Sequence, residues 1–175
     1  MQIRDPETQV GARITSEGLL RTYTVNESEV SHVSKVEKEA YSWSVSYNGG
    51  AADTILWLRN DNTAKDLIIE TIVVGNSTTR SEFAVHCPVN ATPAGTTVVG
   101  VNLNRGSGKV ALATAVSDET NNAQLNVITR GKLFGNMELI PVNGAIILGY
   151  QDCIAVDFVA ASTIAIATIK GYYHE

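Results

Sequence analysis

The stretch from Asn143 to Tyr173 limits what this chain can fold into more than any other. It opens on an Asn-Gly turn signal, runs apolar through Ala145–Leu148 and is broken by Gly149. In Cys153–Phe158 the residues Ile154, Val156 and Phe158 alternate with Cys153, Ala155 and Asp157. After a turn at Ala160-Ala161-Ser162, the residues Ile164, Ile166 and Thr168 alternate with Ala165, Ala167 and Ile169. Period-two patterning rich in β-branched residues, in short runs between turn signals, predicts antiparallel strands of a sandwich or barrel. Small residues on one face of these strands call for a close neighbour there, either a second sheet or a second subunit.

The rest of the chain extends the pattern. Tyr41, Trp43, Val45 and Tyr47 alternate with serines, whereas Thr54–Arg59 and Leu67–Val74 are apolar on both faces and read as central strands. Further strands are expected at Ser81–Cys87, Thr96–Leu103, Val110–Val116, Gln124–Thr129 and Leu133–Ile140. Turns are expected at Arg130-Gly131-Lys132 and Pro141–Gly144, with loops at Pro88–Gly95 and Asp118–Asn122 and a flexible basic tip at Asn104–Lys109. Eight to ten strands after Tyr41, with no internal repeat, predict an all-β domain over residues 41–175, an antiparallel jelly-roll-like β-sandwich.

Residues 1–40 read as an arm. Val10–Thr15 and Leu19–Val25 form a candidate hairpin across Ser16-Glu17-Gly18, too small to be stable alone in water. Asn26 with Glu29 fits a helix-start pair, and Val30, Val33 and Val36 make a narrow stripe on one short helix that packs on the domain or on a neighbour. His32 lies off that stripe and is expected at the solvated surface.

Composition excludes several function classes. The 175-residue chain has a net charge of −5 and lacks the basic stripe of a nucleic-acid binder. No apolar run reaches the ~20 residues of a membrane helix, and the polar start MQIRDPETQ does not read as a signal peptide. Cys87 and Cys153 read as buried free thiols, and the sequons at Asn26, Asn76 and Asn90 as chance spacings.

Catalytic and metal-binding patterns are thin. His86 and Cys87 are adjacent on a strand and point to opposite faces, so they make no Cys–His nucleophile pair, and with Cys153 they lack zinc spacing. Asn104–Lys109 misses the phosphate-loop pattern, because Leu103 stands where its first glycine belongs. Asp152 and Asp157 read as solvated or edge-protecting charges. Tyr41, Trp43, Tyr47, Trp57, Tyr172 and Tyr173 are expected in core or interface, although exposed aromatics could serve a carbohydrate- or receptor-binding module. No cofactor and no catalytic set is expected.

Two stretches resemble virion structural proteins of tailed bacteriophages. One is Arg4-Asp5-Pro6-Glu7 … Val10–Ile14 … Gly18–Thr22, followed by the Ser/Glu-rich Val25–Glu39. The other is Gly144–Tyr150 … Ile166–Tyr173. The resemblance implies a non-enzymatic capsid decoration (cement) protein of the virion, assembled in the host cytoplasm. It implies a homotrimer that binds the major capsid protein of the head. Arg4, Arg13, Leu19, Leu20 and Arg21 of the arm would then contact the shell. Val30, Val33, Val36, Ala165, Ala167, Tyr172 and Tyr173 would form the subunit interface.

Overall fold

The computed structural model describes residues 2–4, 10–14, 20–24, 29–49, 54–77, 81–88, 94–117, 125–159 and 162–174; for the first three of these segments, the backbone course. The Ser16–Gly18 turn, the Asn26 cap, the Asp118–Asn122 loop and Ala160-Ala161 lie outside them. Fourteen strands and one helix are described. The amino-terminal strands β1 (Gln2–Arg4), β2 (Val10–Ile14) and β3 (Leu20–Thr24) form a three-stranded antiparallel sheet, with the expected hairpin as its β2–β3 half.

Helix α1 (Glu29–Val36) is shorter than the segment that signalled it. Its valines do not share one environment: Val33 is buried, Val30 half-buried and Val36 64% exposed. A three-residue repeat drifts around a helix of 3.6 residues per turn, so the stripe leaves the contact within two turns. Val33 packs with Ala40, Ile68 and Tyr172. Lys38, at φ 62°, takes the left-handed conformation that closes the helix, its N–H donating to the Val33 carbonyl at 2.8 Å. His32 is half-buried, not fully solvated.

The remaining strands are β4 (Ala40–Gly49), β5 (Thr54–Asn60), β6 (Asp66–Asn76), β7 (Ser81–His86), β8 (Thr96–Thr97), β9 (Val101–Asn102), β10 (Ala113–Ser117), β11 (Val127–Leu133), β12 (Met137–Leu148), β13 (Cys153–Phe158) and β14 (Ser162–His174). They form two antiparallel sheets, one ordered β11-β7-β13-β5-β10-β8 and the other β12-β6-β14-β4-β9. Successive strands change sheet along β4-β5-β6-β7 and again along β11-β12-β13-β14. The fold is thus an all-β sandwich.

Its core is the layer between the sheets. Ile154, Val156 and Phe158 of β13 meet Ala165, Ala167 and Ile169 of β14, with Trp43, Leu56, Leu58, Ile72 and Val74. The neighbour demanded by the alanines is therefore the opposite sheet. Tyr41 packs edge-on against Tyr173, with ring centres 5.8 Å apart, and tilts against Trp43 at 6.0 Å. The double-sided run of β6 has a local cause. Its pairing with β14 slips between Lys170 opposite Thr71 and Gly171 opposite Ile69, which leaves Glu70 as an extra residue. The bulge changes the phase, so Leu67 and Ile69 before it and Ile72 and Val74 after it all point inward, and Ile68 points out under α1.

Three expected features are corrected. Thr96–Leu103 is not one strand; it crosses from one sheet to the other, pairing as β8 with β10 and as β9 with β4. Arg130-Gly131-Lys132 is not a turn but the middle of β11, where Gly131 lies opposite Phe83. The turn falls at Phe134–Asn136, with Gly135 at φ 75°. Pro141–Gly144 is a bulge inside β12, which goes from Pro141 opposite Thr71 to Ile146 opposite Ile69. Five steps on β12 match two on β6.

Candidate interaction surfaces

Of the arm residues, Arg4 lies on β1, Arg13 on β2, and Leu20 and Arg21 on β3; Leu19 lies outside the described residues. The β2–β3 register sets Arg13 directly opposite Arg21.

The other expected interface residues are used within one chain. Ala165, Ala167 and Tyr173 lie in the inter-sheet core, and Tyr172 and Val33 are buried beneath and within α1's contact with the sheet. Their side chains leave no surface for a second subunit; Val36 alone of the set is well exposed, with Val30 between. Trp43 and Trp57, expected in core or interface, are both fully buried. Trp57 points away from the main core into a satellite cluster with Val116, Cys153 and Ala155, and the Arg59 guanidinium lies 5.5 Å from its ring centre.

Exposed apolar side chains concentrate instead at two opposite edges of the sandwich. Beside the β11–β12 turn stand Phe134, Met137 and Leu139, the last two 61% and 62% exposed. At the other edge, the strap over residues 94–112 exposes Val99 (77%) and Val110 (76%). The sequence holds a weak signal for the strap: valines interrupted by Gly100 and Asn102, without a clean period. Gly100 is there because the strap backbone lies on Trp43, where an added Cβ would come within 2.5 Å of the indole Nε1.

The basic tip at Asn104–Lys109 is not free-standing. The Asn102 carboxamide donates to the Lys38 carbonyl at 2.8 Å, and that of Asn104 to the Ser34 carbonyl at 2.9 Å, latching the tip onto the end of α1. Asn104 Oδ1 accepts from the Gly106 N–H and Ser107 Oγ from the Lys109 N–H, so the tip fills its own concavity. Lys109 and Lys65 converge on the two oxygens of Glu39 at 2.7 and 2.8 Å. Burial pushes the Glu39 pKa up, but hydrogen bonds from Lys109 and Lys65, with their charges, outweigh it and hold the carboxyl below its ordinary value.

Two clusters carry polar chemistry elsewhere. Cys87 and Cys153 line one cleft of about 360 Å³ with Pro88, Asn126, Gln151 and Asp152. Both cysteines are free, and the Cys153 thiol donates to the Pro88 carbonyl at 2.8 Å. Burial is the largest cause raising both thiol pKa values, with smaller additions from the Asp152 charge at Cys87 and from Cys87 and then Asp152 at Cys153, which leaves little thiolate for nucleophilic attack. Asp157 is not solvated as expected. It is fully buried, with Oδ2 at 2.7 Å from Nε2 of the equally buried His86. Neither group makes an aligned hydrogen bond, so this is a close approach and not a directed bond. Register explains it: His86 opposes Ala155, and Asp157 lies two residues further along the same face. Among the described residues no three His, Cys, Asp or Glu side chains gather closely enough to hold a metal ion. Comparison with protein-family models, curated proteins and solved structures finds no match, so function must be read from the chain's own surfaces.

Proposed function

We propose that this chain is a non-enzymatic structural protein of a tailed-bacteriophage virion, a capsid decoration protein that self-associates, as a homotrimer, on the head. One observation carries the reading: the order in which the strands change sheet. Within the sheets, β12-β6-β14-β4 and β11-β7-β13-β5 each interleave strands from the first half of the sandwich, β4–β7, with strands from the second, β11–β14. We take this wiring as a jelly roll, with β8–β10 inserted at one edge; the architecture is common in viral capsids and lectins.

The arm fits the same role. Among the described residues its three strands pair with one another, in a sheet separate from the two of the sandwich. An arm that gains its stability on binding suits a protein that coats a shell through many copies.

The test is a binding assay on gradient-purified capsids stripped of this chain. Full-length protein is expected to co-band with the capsids, and a variant lacking residues 1–25 to remain at the top while keeping its β-sheet circular dichroism. Co-banding by the truncated variant would remove the arm from the reading. Failure of the full-length chain to band would remove the capsid.

A further inference from the structure

We propose that copies of this chain join head to tail by continuing the five-stranded sheet, the β12 edge of one copy adding beside β4 of the next. The proposal deepens the reading of a self-associating protein by naming the surface. Its ground is the state of the two sheet edges.

On one side β12 is the last strand, and its Met137–Pro141 half has no strand partner on the outer side among the described residues. Glu138 is the only charged residue from Met137 to Leu148, and Pro141 with the bulge after it ends the pairable stretch, so the open length is Met137–Ile140. On the other side, β9 pairs with β4 only at Tyr41 and Ser42. From Trp43 onward that flank of β4 has no strand partner among the described residues. It opens into a groove of about 500 Å³ lined by Ser44, Ser46, Thr97, Val98, Val99 and Ser117.

The two open edges match in level and direction. Across the sheet, Leu139 lies opposite Val73, Val73 opposite Thr168, and Thr168 opposite Ser44; Met137 shares its row with Gly75, Ile166 and Ser46. A neighbour set edge to edge therefore brings its Met137–Pro141 level with Ser42–Ser46. Strands alternate in direction, so β12 runs opposite to β4 and with β9. It would enter antiparallel, in line with β9. The contact also brings Met137 and Leu139 toward Val99. Because its two sides differ, it is heterologous and closes only as a ring.

The test mixes two variants. Leu139→Lys spoils the β12 side and Val99→Lys the β4 side, each checked for a native melt. By sedimentation at about 50 μM, a concentration chosen to favour typical subunit contacts, the unaltered chain is expected as a particle of three or more copies, and each variant alone as a monomer. Their equimolar mixture should form a 1:1 pair of twice 18.7 kDa, since one intact edge of each kind remains. An unaltered monomer or dimer, or a mixture that stays monomeric, would overturn the proposal. Should a variant unfold, Met137→Glu on the β12 side or Ser46→Glu on the β4 side, which share one row, takes its place with the same outcomes expected. Capsid banding depends on the arm, so its failure and failure of this edge contact are separable.

Discussion

The carboxamide of Asn60 donates to the carbonyl of Leu148 at 2.9 Å, joining chain segments 88 residues apart. The same nitrogen donates to the Lys65 carbonyl at 3.0 Å, and the Asn60 side-chain oxygen accepts from the Asn62 N–H at 2.9 Å. The Asn60 backbone completes the knot, donating to the Asp152 carbonyl and accepting from the Gln151 N–H. One buried side chain thus ties the β5–β6 turn to the β12–β13 turn, from opposite sheets.

Asn60→Leu keeps the volume and strands these buried partners, at a cost of about 3 kcal/mol. For a chain of this length that lowers Tm by roughly 6–12 °C. A melt followed by circular dichroism checks it, and a fall of under 2 °C would show that water replaces the lost bonds.

Removing one member of the buried His86–Asp157 pair strands the other. Asp157→Ala is expected to destabilise by about 1–3 kcal/mol by leaving the His86 imidazole buried without its close neighbour, while the double replacement His86→Leu, Asp157→Leu costs less than Asp157→Ala alone. Urea unfolding of the three variants gives the coupling. Additive losses would mean that the two groups do not sense each other.

Two glycines should answer differently to the same change. A Cβ on Gly131 would lie 2.4 Å from the Phe83 ring, whereas one on Gly108 would meet nothing within 4 Å. Gly131→Ala is expected to cost about 2 kcal/mol through overpacking, and Gly108→Ala to stay within about 0.5 kcal/mol of the parent. Equal urea midpoints for the two variants would contradict this packing.

The Glu39 cluster sets a pH dependence. A carboxyl whose pKa is lower in the folded chain stabilises it above the unfolded value, near 4.5, and that contribution disappears as pH falls through the folded value. At pH 7, Glu39→Gln should lose about 1 kcal/mol, the scale of a part-exposed ion pair. Denaturant midpoints of parent and variant should converge as the pH falls from 5 to about 2.5. A gap that persists at the acid end would assign the effect to packing.

By itself the sequence determined the layering. In a strand, neighbouring side chains point to opposite faces, so the alternation in Tyr41–Tyr47, Cys153–Phe158 and Ala165–Ile169 admits only strands with a close-packed face. It also marked β5 as central, because apolar residues on both faces need cover on both, whereas β6 reads the same way because its bulge shifts the phase. What alternation cannot say is whether the cover is another sheet or another chain. Ala165, Ala167 and Tyr173 were therefore legible as buried, and only the fold assigned them to the inter-sheet core. Gly131 reads as a turn residue until Phe83, from a distant strand, is laid over it. Asp157 reads as a surface charge until register brings His86 beside it. Strand order, register and the identity of the free edges depend on contacts between residues far apart in the chain, and a local period of two carries no record of them.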